Sequence, residues 1–227
     1  MAQPSAVTVP GIAAEPAVRR VAAAYDRIAP VYDLLDAAYE WTWKRRLRAE
    51  IFARARGRLL DVGVGTGCNM PFYPHGSEAV GIDASRAMLD RARERARERG
   101  LQVALHEMNL LALDFPDASF DTVAVTFVLL CLPDELQTAA LRELARVTRP
   151  DGQILLLDYH LSTRAIVRLR MKAMAPWLRW AFAARFDPQT ERYLGAAGLE
   201  VVERRSFVGD AAIMLVLGPR TPPATSG

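Results

Sequence analysis

Gly63, Gly65 and Gly67 alternate at the end of an apolar run, residues 58–64, that also carries Asp61. Glycines in that pattern allow a tight turn and let a ligand lie directly against the backbone. A second apolar run, residues 78–83, closes on Asp83, roughly 20 residues past the turn, the place from which a carboxylate takes ribose hydroxyls in nucleotide-binding sheets. Asn109 and Leu110 follow a third run, 103–108, at the strand end where open α/β sheets bind ligands, and there they can hold an adenine. Together these positions offer the means to hold a nucleoside. Each also has a plainer use: a glycine turn can simply join strand to helix, and Asp83 can cap a helix that begins near Ser85. The combination favours the ligand. A dinucleotide fingerprint would need a third glycine three residues after the second, and Cys68 or Met70 stands there, depending on register.

The elements that must position these residues are short apolar strands separated by helical patterns, which predicts a doubly wound α/β sheet. Further strands are expected at 120–127, at 153–158 behind the turn Arg149-Pro150-Asp151-Gly152, at 199–207 and at 211–217. Pro71 and Pro74 shorten any helix after the glycine turn. Residues 85–99 place Met88, Leu89, Ala92 and Ala96 on one helix face, with an Arg/Glu-rich remainder that faces solvent. Another helix is expected at 134–147. At 227 residues and 51% hydrophobic, the chain supports one sizeable core. It divides into a disordered start (1–16), one domain (17–220) and a disordered tail (221–227). Within the domain, 17–57 reads as a helical lid, 58–160 as the nucleoside-binding core, 161–198 as cap helices and 199–220 as a hairpin.

Cys68 and Cys131 follow no metal-ligand or CxxC spacing, so neither a metal site nor a disulfide framework is expected, and a reducing cytoplasm fits. No uncharged apolar stretch is long enough to span a bilayer, and the first residues lack the basic start and apolar run of a signal peptide. The net charge of +3 is modest but unevenly spread. One basic segment runs Trp41, Trp43, Lys44, Arg45, Arg46, Arg48. The other, 164–185, mixes arginines with Trp177, Trp180 and Phe182.

LDVGVGTG at 60–67, GIDAS at 81–85, FPDASFDTV at 115–123 and LRELARVTRPDGQILLLD at 141–158 make the chain resemble a class I S-adenosylmethionine-dependent methyltransferase over most of residues 58–158. The resemblance implies a Rossmann-like seven-stranded sheet with an antiparallel last strand. It also implies S-adenosylmethionine as donor, S-adenosylhomocysteine as product and no metal. Asp61, Gly63, Gly65 and Gly67 would bound the amino-acid portion, with Asn69 and Ala84 in the same cofactor-binding set. Asp83 would take the ribose, Met88 would flank the adenine, Asn109 and Leu110 would read its edge, and Thr126 would face the methionine part. An acid often stands in this family where Asn109 stands here.

YDRIAPVYD at 25–33 resembles the start of the ubiquinone/menaquinone and phospholipid N-methyltransferases, whose N-terminal helical region covers the donor, so Tyr32 joins the cofactor-binding set. The seven-residue spacing of Tyr25, Tyr32 and Tyr39 would equally suit one packed helix face, although Pro30 interrupts it. Asp158, Tyr159 and His160 end the fifth strand where an acceptor would meet the methyl group. Tyr25, Tyr32 and His160 are therefore expected to hold the acceptor amine, with Tyr39 and Tyr159 nearby. Arg164, Arg168 and Lys172 at helical spacing, with Trp177 and Trp180, suit a helix lying on an anionic membrane, and Pro176 is expected to kink or divide it. The alternative is a cap helix whose apolar face is buried. Nucleic acid is not expected as a partner: the Asn/Asp-Pro-Pro-Tyr/Phe pattern of base-amino methyltransferases is absent after the fourth strand, where Thr126-Phe127-Val128 stands. TFVLLCLPD at 126–134 and the basic cap resemble the bacterial phosphatidylethanolamine N-methyltransferases. The resemblance implies successive methylation of that lipid towards phosphatidylcholine by a monomer at the inner membrane face. C-methylation of a polyprenyl quinol, or a non-catalytic module that binds the donor or lipid, are the other readings.

Overall fold

The computed structural model describes residues 11–186 and 188–220. Three helices come first, α1 (Gly11–Ile28), α2 (Tyr32–Tyr39) and α3 (Arg45–Phe52), the last two joined by a π-helical turn at Glu40–Lys44. The sheet follows with β1 (Leu59–Val62), β2 (Ala79–Asp83), α4 (Arg86–Glu98), β3 (Val103–Glu107), β4 (Phe120–Thr126), α5 (Asp134–Val147) and β5 (Thr148–Tyr159). α6 (Ala165–Phe182), β6 (Leu199–Phe207) and β7 (Ala212–Pro219) complete it. The strand order is β3-β2-β1-β4-β5-β7-β6; β1 to β5 run parallel, and β7 runs antiparallel to both of its neighbours. This is the seven-stranded, doubly wound sheet expected from the sequence.

Alternation along the strands gives the sheet two apolar faces, as a sheet covered on both sides requires. Leu60, Val62, Val123, Val125, Ile154 and Leu156 pack with α5 through Leu141 and Leu144. Leu59, Ala124, Leu155 and Leu157 pack on the other face against Leu47, Ile51 and Phe52 of α3. The edge strands β3 and β6 are half-exposed, and β6 carries Glu203, Arg204 and Arg205, charges that discourage pairing with another chain.

Several boundaries differ from expectation. Residues 1–10 and 221–227 of the expected disordered ends lie outside the described residues, but α1 already begins at Gly11, inside the segment 1–16. Ala13 and Ala14 are strong helix formers, and Pro16 removes only the bond to the carbonyl of residue 12, near the helix end. Pro176 does not divide the cap: α6 is one helix through it, and the exposed proline costs only the bond to the Lys172 carbonyl. After the glycine turn the chain makes only a 3-10 turn, Met70–Phe72, with Pro71 as its second residue.

Gly63 has φ +71°, and a Cβ there would stand 2.3 Å from Val128 Cγ2. Both backbone and space exclude a side chain. Gly63→Ala should therefore lower stability by about 1–3 kcal/mol, read as a fall in the thermal midpoint. Adding Val128→Ala should restore part of the loss, because it removes the clash and leaves the left-handed φ; a Gly63→Ala protein as stable as wild type would contradict this.

Candidate active site

The carboxyl ends of β1, β2 and β4 frame a crevice roofed by Val18, Val21 and Tyr25 of α1. It encloses about 970 Å³ of empty space, open mouth included. Gly63, Gly65, Asp83, Ala84, Met88, Asn109, Leu110 and Thr126 line it, as does Tyr32. Asp83 is fixed by the turns on either side: Gly65 N–H donates to Oδ2 at 2.9 Å and Ser85 N–H to Oδ1 at 2.8 Å. Burial pushes its carboxyl up to about 6, against the pull of those two N–H groups. Ser85 caps α4, its hydroxyl accepting from Met88 N–H at 3.2 Å and donating to Asp26 of α1 at 2.6 Å. The helix-capping role considered for Asp83 thus falls mainly to Ser85.

Below the crevice is a buried polar floor. Asn69 donates to both oxygens of Asp61, at 3.0 and 2.8 Å, and to Thr126 Oγ1 at 2.9 Å. Tyr73 donates to Asp61 Oδ2 at 2.6 Å. Arg48, from α3, is 6% exposed and donates to Asn69 Oδ1, to Thr126 Oγ1 at 3.2 Å and to Glu40 Oε2 at 3.1 Å. Burial raises the Asp61 carboxyl to about 6, opposed by the Tyr73 and Asn69 hydrogen bonds.

A second hollow adjoins the first and shares Tyr25, Tyr32 and Phe127 with it. Tyr39, Tyr159, Trp177 and Phe182 add further rings. Phe127 follows β4 with φ +57°, a conformation that a bulky side chain adopts only under constraint; here its N–H is bonded to Leu157 O at 2.7 Å. Lys44 and Asp36 supply the charge, with Lys44 Nζ 2.6 Å from Asp36 Oδ1 and 4.8 Å from the Phe127 ring centroid. Burial pulls the Lys44 ammonium below the usual lysine range, and Asp36 partly offsets that. Burial holds the Tyr25 and Tyr32 phenols well above theirs, so both keep their protons at neutral pH.

The structure brings most of the expected residues together, with exceptions. Asp61, Gly67 and Asn69 do not line the crevice: the first and last form its floor, and Gly67 packs against Met70. His160 lines neither hollow. Tyr159 faces the second one, and the next residue of an extended chain faces the opposite way; the His160 N–H is bonded to Ala211 O at 2.9 Å. Tyr25, Tyr32 and Tyr39 all reach the second hollow, from two helices rather than one. Arg164, Arg168 and Lys172 are exposed on α6, and so are its apolar residues Ile166 (71%), Leu169 (70%) and Trp180 (81%). α6 packs through Met171, Leu178 and Phe182, with Trp177 against Phe182, so it covers the second hollow as a cap while Ile166, Leu169 and Trp180 stay exposed. Lys44 and Arg48, read from the sequence as part of a basic segment, are buried in the site. With Asp36 and Phe127 they are the site residues that motif reading missed.

A methyltransferase-domain family model matches residues 59–152. The phosphatidylethanolamine N-methyltransferase of Cereibacter sphaeroides is 36% identical over 189 residues, covering 81% of this chain and 89% of that protein. The chain belongs to the class I S-adenosylmethionine-dependent methyltransferases. A demethylmenaquinone methyltransferase of Thermus thermophilus is 37% identical over 142 residues, 60% of this chain and 64% of that one. A solved SAM-dependent methyltransferase from Thermotoga maritima shares the fold, with TM-score 0.64 and 20% identity over 88% of this chain and 99% of its own.

Asp61, Asp83 and Asp158 are carboxyls whose burial raises them to about 6, 6 and 7. Between about pH 8 and pH 5 the folded state takes up protons that unfolded aspartates, near 3.9, do not, so stability should rise on acidification through that window. The thermal midpoint should be higher at about pH 5.5 than at pH 8; a steady fall over that range would contradict the assignment of these three groups.

Proposed function

We propose that the chain transfers methyl groups from S-adenosylmethionine to the amine of phosphatidylethanolamine, successively towards phosphatidylcholine, while resting on the inner face of the cytoplasmic membrane. The observation that carries this reading is the extent of the similarity to the Cereibacter sphaeroides enzyme. It spans 81% of the chain, well beyond the matched methyltransferase domain at 59–152. Among the described residues no helix is long and apolar enough to cross a membrane, so access to a lipid falls to a surface such as α6, with its exposed arginines, Ile166, Leu169 and Trp180. The similarity to the Thermus thermophilus protein supports a second reading, C-methylation of a polyprenyl quinol.

The crevice residues suit the donor. Asp83, held by two backbone N–H groups, has lone pairs left for ribose hydroxyls. All of Met88, Asn109, Leu110, Gly63, Gly65, Thr126 and Tyr32 line the crevice, which supports the adenine on the first three, the amino-acid portion on the two glycines, and Thr126 and Tyr32 at the end nearest the second hollow. S-adenosylmethionine supplies a methyl group already activated on a sulfonium. What the protein must add is positioning and a dry site. A primary amine titrates near lysine's ~10.4 in water and needs its lone pair free, which an apolar hollow favours, while ring faces steady the cation that forms. Tyr25 and Tyr32 line both hollows, and their neutral hydroxyls, that of Tyr25 paired with Cys131 Sγ at 3.3 Å, can accept a hydrogen bond from the amine and orient it.

Asp83→Asn should weaken S-adenosylmethionine binding by about 1.5–3 kcal/mol, the usual worth of a hydrogen bond to a charged group. Because the Asp83 carboxyl sits at about 6, wild-type affinity should fall as the pH drops through that value, and the variant should show a flatter profile. Calorimetric titrations giving equal affinities would remove Asp83 from the site. The acceptor is tested with labelled donor and separate vesicles of phosphatidylethanolamine, of quinol and of neither. Label should enter the first, and charge reversal of Arg164, Arg168 and Lys172 should lower transfer on anionic vesicles as added salt does, at about 1 kcal/mol of membrane attraction per residue. Label in the quinol alone would replace this reading with the second.

A further inference from the structure

Among the described residues, Asp36 Oδ2 is the one buried side-chain nitrogen or oxygen without a hydrogen-bond partner. Asp36 is 5% exposed, and its other oxygen is taken by Lys44 at 2.6 Å. A buried carboxylate oxygen left unpaired is costly, and such an exception in an otherwise satisfied interior calls for a ligand. Asp36 lines the second hollow beside Tyr39, Phe127 and Tyr159. It also borders a polar hollow between the lid and α4, where Arg45, Arg95 and Glu40 stand, yet none of these reaches Oδ2.

A free acceptor oxygen on a residue that lines an aromatic hollow suits a cation that carries N–H groups. The Asp36–Lys44 pair is neutral as a whole, so the hollow holds no net charge to repel that cation. The rings can attract any ammonium, methylated or not, whereas the oxygen can engage only one with a hydrogen to donate. The hollow shares Tyr25, Tyr32 and Phe127 with the donor crevice, so a nitrogen held there lies next to where the methyl group is presented.

We propose that Asp36 Oδ2 accepts a hydrogen bond from the acceptor nitrogen, and that this contact selects amines still carrying N–H over the quaternary product. The proposal rests on the amine-lipid reading above. Each methylation removes an N–H, so the primary, monomethylated and dimethylated headgroups, arriving as ammonium ions, keep the contact and the trimethylated one loses it; each ammonium gives one proton to solvent before its lone pair takes the sulfonium methyl. Asp36 thereby acts as the specificity-determining residue that favours continued methylation and then release. Lys44 is a positioning residue that fixes the carboxylate through Oδ1.

The test is calorimetric binding of short-chain phosphatidylethanolamine and short-chain phosphatidylcholine to the protein saturated with S-adenosylhomocysteine. Wild type should prefer the ethanolamine lipid by about tenfold or more, the size expected of a hydrogen bond to a charged group. Asp36→Asn should bring that ratio close to one while leaving the affinity for S-adenosylhomocysteine unchanged. Because Asp36→Asn leaves the Lys44 charge buried without its partner, the double variant Asp36→Asn/Lys44→Gln is measured beside it. A pair that is merely structural keeps the preference in the double variant; the proposed contact loses it there too. Preference retained in either folded variant overturns the assignment of Asp36 and leaves the amine-lipid reading standing. A wild-type protein that methylates quinol and no amine lipid overturns that reading, and this assignment with it.

Discussion

All five parallel strands end on one edge of the sheet, and β1 and β4 lie side by side there while their chains leave in opposite directions. From β1 the chain passes to β2 and α4; from β4 it passes to α5, on the other face. A gap at that point is unavoidable, because neither connection crosses it. The donor crevice is this gap, and the second hollow is its continuation past Phe127. The left-handed backbone of Gly63 and Phe127 follows from the same constraint, since both chains must turn sharply as they leave the sheet.

The gap needs a roof, and the N-terminal helices supply one, held by charged tethers in addition to the apolar packing of α3 and of Tyr25, Ile28, Tyr32 and Leu35. Asp26 accepts from Ser85 and from Ala87 N–H at the start of α4. Asp33 accepts from Arg95 at 2.6 Å and from Thr66 at 2.7 Å. Arg48 closes the third corner through Asn69 and Thr126. The two acidic residues of the YDRIAPVYD segment thus hold the lid to the core, and its two tyrosines face the hollows. Structural and chemical roles are divided residue by residue within one short stretch.

That division explains how much was legible in the sequence. Strands buried on both faces announce themselves as Val/Leu/Ile runs, and the glycine turn with Asp83 marks the crevice, because both depend on local backbone and spacing. Arg48 and Lys44 could not be recognised in the same way: a cluster of basic residues reads as surface, and only the fold reveals that Glu40 and Asp36 bury them. Sequence signal for Asp36 was faint, a carboxylate eight residues before a lysine across a helix junction. His160 was misplaced for the opposite reason. Its position at a strand end is correct, but a shift of a single residue along an extended chain changes the side it faces.

The proposed mechanism requires donor and acceptor to occupy two adjoining hollows divided by Phe127. A crystal structure with S-adenosylhomocysteine and a short-chain phosphatidylethanolamine tests it directly. The ribose should lie on Asp83 and the ethanolamine nitrogen among Tyr25, Tyr32 and Asp36, facing the sulfur. A headgroup bound outside the second hollow, or a nucleoside away from Asp83, would contradict it.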